Sequence, residues 1–215
     1  MYIYMKFEDI MNDKEIYLYC GCMPINRREY TNKKFIGLSL KQDNTFNIKH
    51  NILDKILLKD NSVNIVQSED VFEHIEYSQL KNIINEIYRL LKPNGLFRLS
   101  MPDYSCDLLY KRSLKDENGN ILFDRYGGGR YNIKTKEITR GGHLWFPKYN
   151  SVKELLESTN FSNEKIQFLH YYDENNNPIT HKIDYSLGYI NRTPDFDERV
   201  QNPYRPLSII IDCYK

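Results

Sequence analysis

The chain predicts an α/β domain: a mostly parallel sheet with helices packed over it. Two features of its 215 residues point there. Short apolar runs alternate with helical patterns through the first hundred residues, as expected of strands joined by crossover helices. Near the C-terminus, Ile209, Ile210 and Ile211 form an uninterrupted apolar run that suits a strand buried on both faces.

Residues 15–19, 35–38, 45–48, 63–66 and 96–101 read as the first five strands. Between the last two lies the clearest helix. Leu80, Ile83, Ile84, Ile87, Leu90 and Leu91 recur at spacings of three and four and share one face. Ser78 is the expected N-cap. Lys92-Pro93-Asn94-Gly95 ends the helix, because Pro93 blocks continuation and Asn94-Gly95 makes the turn into the next strand. If the flanking strands are parallel, the crossover is right-handed. Residues 104–149 lose this rhythm and hold six glycines, the pattern of a functional loop or lid. A helix at 151–158 and strands at 165–169 and 207–213 complete seven strands, with 172–206 a polar connection or hairpin insertion. We expect one domain over 1–215, with the lid and the insertion as elaborations.

Composition narrows the partners. Thirty basic residues against 29 acidic ones leave a net charge of +1, so nucleic acid is not the expected partner. Lys6, Glu8 and Asp9 interrupt the early apolar residues, which argues against a signal peptide, and no run approaches the ~20 apolar residues of a membrane span. A soluble, cytoplasmic protein is expected. Cys20, Cys22, Cys106 and Cys213 form no CxxC pair and read as structural thiols in a reducing compartment. Oligomeric state is not legible.

Three segments carry a resemblance: Leu18-Tyr19-Cys20-Gly21-Cys22-Met23-Pro24; the stretch from Asp60 through Ser68-Glu69-Asp70-Val71-Phe72-Glu73-His74-Ile75; and Glu86 to Gly95 with its Lys-Pro-Asn-Gly end. In that order they resemble class I methyltransferases dependent on S-adenosylmethionine (SAM), of the type-11 kind, and more narrowly the small enzymes of glycan and polysaccharide gene sets. The resemblance spans about residues 15–104. It implies a Rossmann-like fold, a seven-stranded sheet with helices on both faces, and SAM as cofactor, released as S-adenosylhomocysteine.

The resemblance also implies positions. Ligands of such sheets bind at the carboxyl ends of strands, where strand order reverses. Gly21 and Met23 follow the first strand; Ser39 or Leu40 falls near the ribose, Asn51 and Ile52 near the adenine, Ser68 and Glu69 near the methionine part, with His74 beside them. Met23 stands at the family's second glycine, while Ser39 and Asn51 stand where carboxylates are usual. Neutral partners hydrogen-bond more weakly than charged ones.

The sulfonium is already activated, so the protein must orient an acceptor and take up its proton; no metal is required or assigned. His143, in Gly141-Gly142-His143-Leu144-Trp145, has a suitable unperturbed pKa of ~6.5, and similar segments of related enzymes carry a histidine followed by aromatics. It is the expected base, with Asp103 orienting it or binding a sugar hydroxyl. Tyr104, Arg125, Tyr126, Arg130 and Trp145 are the expected acceptor contacts, with Arg112 and Arg140 as further candidates. Glu73-His74 reads first as a salt link at a helix start or a satisfied histidine. The leading expectation is O-methylation of a sugar hydroxyl, whether free, nucleotide-linked or in a glycan. A non-catalytic module binding a glycan or protein, or a methyltransferase for another small metabolite, stands beside it.

Overall fold

The structure, a computed structural model, describes residues 5–24, 31–41 and 44–215. β1 (Tyr17–Cys20), β2 (Ile36–Ser39), β3 (Asn47–Lys49), β4 (Val63–Glu69) and β5 (Leu91–Pro102) form the parallel half of the sheet. All five lie where the apolar runs put them. α1 (Tyr77–Leu90) connects β4 to β5 and buries Leu80, Ile83, Ile84, Ile87 and Leu90, the face read from its periodicity. Burying each such side chain contributes about 1.5–3 kcal/mol. The N-cap expectation is corrected: the helix starts at Tyr77, Glu76 precedes it without a side-chain cap, and Ser78 lies in the first turn. Its end differs too. Leu91 already pairs with Val63, and the residues read as a turn form an irregularity inside β5, with Asn94 at φ 63°, before Leu96 pairs with Ile65.

Beyond β5 come α2 (Asp107–Arg112) and two small hairpins, β6 (Ser113–Lys115) with β7 (Ile121–Asp124) and β8 (Arg130–Asn132) with β9 (Glu137–Thr139). The glycine-rich stretch thus has regular structure of its own. α3 (Tyr149–Glu157) returns to the main core through Val152, Leu155 and Leu156. β10 (Ile166–Tyr172), β11 (Pro178–Thr180) and β12 (Ser208–Tyr214) finish the sheet, in the order β11-β10-β12-β5-β4-β1-β2-β3.

The sheet has eight strands rather than seven. The eighth, β11, pairs antiparallel with β10 from inside the polar 172–206 segment. Asp173 makes that hairpin possible by accepting hydrogen bonds from the amides of Asn175 and Asn177 at 2.9 and 2.8 Å, while Asn176 takes φ 60°.

Successive residues of the strands serve opposite faces. Leu18, Val66, Phe97, Leu99, Ile209 and Ile211 join the core beneath α1 and α3. Tyr19, Ile65, Leu96 and Ile210 turn to the other side. That side also holds a fully buried cross-strand ion pair, Arg98 with Asp212 at 2.7 Å. Among the described residues, no helix is long and apolar enough to cross a membrane.

Candidate active site

β1 pairs with β2 on one flank and β4 on the other, so strand order reverses at β1 and a crevice opens at the carboxyl ends there. A cavity of about 510 Å³ occupies it, a size typical of small-molecule sites. Gly21, Ser39, Leu40, Asn51, Ile52 and His74 all line it. Gly21 takes φ +107°, and a Cβ there would meet Val71 at 3.3 Å, so the position combines a left-handed turn with close approach. Ser39 Oγ accepts from the Lys41 amide at 3.3 Å, and Asn51 Oδ1 from the Leu53 amide at 3.1 Å.

Three expected cofactor positions lie off the cavity wall. Met23 packs with Tyr19, Phe35, Ile65 and Leu96 and leaves the crevice open. Ser68 is buried, paired in register with Cys20. Glu69 accepts from the amides of Asn191 and Arg192 at 3.0 and 3.3 Å, tying the C-terminal insertion to the end of β4. Next to it, Asp70 lines the cavity and pairs with Arg192 at 2.9 Å.

At the edge of the cavity stands a cluster that unites distant parts of the chain. The His74 ring meets the His143 ring edge-on, with centroids 4.7 Å apart. His74 Nδ1 lies 2.9 Å from the Gly142 carbonyl, and since a carbonyl only accepts, Nδ1 is the protonated nitrogen. Tyr104 donates its hydroxyl hydrogen to Asp124 at 2.7 Å and therefore receives the Nδ1 hydrogen of His143. Arg112 also donates to Asp124. His143 is thus held by a chain of hydrogen bonds, with Nε2 3.7 Å from the Glu73 carboxylate. Gly127 lets this ring in: a Cβ there would lie 2.8 Å from it. Burial foremost, then the neighbouring His74, pushes the His143 pKa down to about 3, so the imidazole is neutral. Burial foremost, then Asp70, holds the Glu73 carboxyl well above the ordinary carboxylate range.

The expected orienting role of Asp103 is corrected. Its buried carboxylate accepts from the amides of Ser105 and Tyr172 at 2.9 and 3.1 Å and pins the segment after β5 to β10. Asp124, through Tyr104, is what orients His143. Tyr104, expected as an acceptor contact, is fully buried, with its hydroxyl between Asp124 and His143. Trp145 is half-buried: its indole donates to the Phe72 carbonyl at 2.9 Å and its ring packs on Tyr77. Arg125, Tyr126 and Arg130 are exposed, with Tyr126 5.8 Å from the Arg112 guanidinium. Glu73 and Asp124 are the residues the expectation passed over. Glu73 was visible as the partner of His74 in the motif; Asp124 stood out only with Arg125, Tyr126 and the three glycines after them, as a segment expected to close over a substrate, and not as a partner of His143.

Residues 28–99 match the family model described as a methyltransferase domain. A comparison with curated proteins gives no match in sequence. Among solved structures, a SAM-dependent methyltransferase from Archaeoglobus fulgidus superposes with a TM-score of 0.54 at 14% identity, covering 97% of this chain and 90% of that one. One from Mesorhizobium loti gives 0.53 at 15%, over 93% and 90%. One from Methanosarcina mazei gives 0.51 at 14%, over 99% of each chain. The fold is that of these proteins, and the family match agrees with the methyltransferase resemblance read from the sequence.

Proposed function

Taking this chain as a SAM-dependent methyltransferase with the class I fold, we propose that it methylates a hydroxyl group of a sugar, free, nucleotide-linked or within a glycan. The supporting observation is the position of His74, which lines the cavity and also touches His143. In this reading the cluster of Glu73, His74 and His143 stands at the edge of the pocket that takes SAM, on the side the acceptor approaches.

In this reading SAM occupies the crevice beside Gly21, with Ser39, Leu40, Asn51 and Ile52 around its adenosine. The acceptor oxygen aligns with the S–CH₃ bond, and the methyl group passes to it as the thioether, S-adenosylhomocysteine, is released. The hydroxyl proton leaves toward the cluster, where the Nε2 atoms of His74 and His143 carry free lone pairs. Tyr104 and Asp124 keep His143 in the tautomer with Nε2 free. Exposed Tyr126, beside Arg125 and Arg130, offers a ring and two guanidinium groups to a sugar and any phosphate it carries.

Isothermal titration with SAM, followed by incubation with methyl-labelled SAM and a panel of sugars and nucleotide sugars, tests this. Saturable SAM binding and label on a sugar are expected. SAM binding with transfer only to a non-sugar acceptor would replace the substrate class; no SAM binding at high ligand concentration would remove the enzymatic reading altogether.

A further inference from the structure

We propose that Glu73, His74 and His143 form a binding site for one divalent first-row transition-metal ion at the edge of the cavity. One ligand atom from each of the three lies within 4.8 Å of the others. Hydrogen bonding settles which ring nitrogens are available. Nδ1 of His74 is spent on the Gly142 carbonyl and Nδ1 of His143 on Tyr104, so both Nε2 atoms carry lone pairs.

The third group is the independent pointer. Glu73 is fully buried, and among the described residues neither of its carboxyl oxygens has a hydrogen-bond partner. A buried carboxylate without a donor is costly. Here one of its oxygens faces the free lone pair of His143 Nε2 at 3.7 Å, beyond hydrogen-bond length, so neither group satisfies the other. A cation among the three atoms removes that conflict.

The surroundings fit a metal rather than a bound water alone. Ligating histidines characteristically donate their other ring N–H to a carbonyl or toward a carboxylate, which fixes ring orientation. His74 does so to Gly142, and His143 does so through Tyr104 to Asp124. Bonds of about 2.0–2.2 Å space ligand atoms roughly 3–3.5 Å apart, so modest side-chain shifts close the triad. Two imidazoles with one carboxylate suit Mn²⁺, Fe²⁺, Co²⁺ or Zn²⁺ better than Mg²⁺ or Ca²⁺, which take oxygen ligands.

The ion's role rests on the methyltransferase reading; its binding does not. Because His74 lines the cavity, an acceptor hydroxyl can enter an open position on the ion. The ion lowers the pKa of the bound hydroxyl, which releases its proton to solvent before the methyl group moves. His143 then serves as a ligand instead of taking the proton.

Co²⁺, whose visible bands report its coordination, is the probe. The full chain, freed of metal with a chelator, is titrated with Co²⁺ and separately with Mg²⁺, and SAM affinity is measured by calorimetry. One equivalent of Co²⁺ with visible bands, displaced by Zn²⁺ and not by Mg²⁺, is expected. Glu73→Gln and His143→Gln should each weaken Co²⁺ binding at least tenfold, with the far-ultraviolet circular dichroism retained. Should Glu73→Gln fail to fold, His74→Asn, at an exposed ligand, takes its place. Absent Co²⁺ binding, or equal affinity in the variants, overturns the site. Co²⁺ binding without SAM binding overturns the methyltransferase reading and leaves the metal site standing.

Discussion

On one side of the crevice, β1 to β4 and α1 present backbone turns and small side chains whose positions follow from sheet pairing and an apolar helix face. On the other, residues 103–149 are held by a buried polar network running Arg112–Asp124–Tyr104–His143, with short hairpins around it. The first side is non-directional packing, tolerant in detail and strong in sum. The second depends on each hydrogen bond being satisfied, because a buried polar group that loses its partner keeps its desolvation cost. The fold resides in the first, and the proposed chemistry is set by the second.

The largest effect should come from the packed side. Ile84→Ala empties a fully buried position under the sheet and should cost about 2–5 kcal/mol, read by urea denaturation. Loss confined to the lid, with the sheet transition unchanged, would contradict the division drawn above. On the polar side, Tyr104→Phe removes the hydroxyl between His143 and Asp124. It should cost about 1–2 kcal/mol and lower methyl transfer at least tenfold, with SAM affinity unchanged by calorimetry. An equal fall in SAM affinity would show that the two sides are not separable. The smallest effect sharpens the cofactor side. Ser39→Asp places a carboxylate on the cavity wall where SAM hydroxyls are expected, and a charged hydrogen bond in place of a neutral one should strengthen SAM binding by about 1 kcal/mol, roughly fivefold in the titration.

Legibility divides along the same line. The five parallel strands and α1 could be read because period two and period three to four are written along contiguous residues. Gly21, Ser39, Leu40, Asn51, Ile52 and His74 follow strand ends and reached the cavity with them. β11 was harder to see, because three polar or neutral residues pair only through a hairpin set by Asp173 and Asn176. Asp103 and Tyr104 misled for a related reason: polar residues just past a strand look poised for a ligand, yet both are engaged by Ser105, Tyr172 and Asp124.

The sequence by itself determined the layered α/β architecture and the strand ends that form the crevice, since burial periodicity and turn chemistry are local properties of the chain. Only the tertiary structure decided which polar groups face one another. Glu73 and His74 meet His143 from nearly seventy residues away, and Tyr104 joins His143 to Asp124 across the lid. No pattern in neighbouring residues encodes that meeting, because it depends on how the glycine-rich segment folds back over the sheet and on Gly127 leaving room for an imidazole.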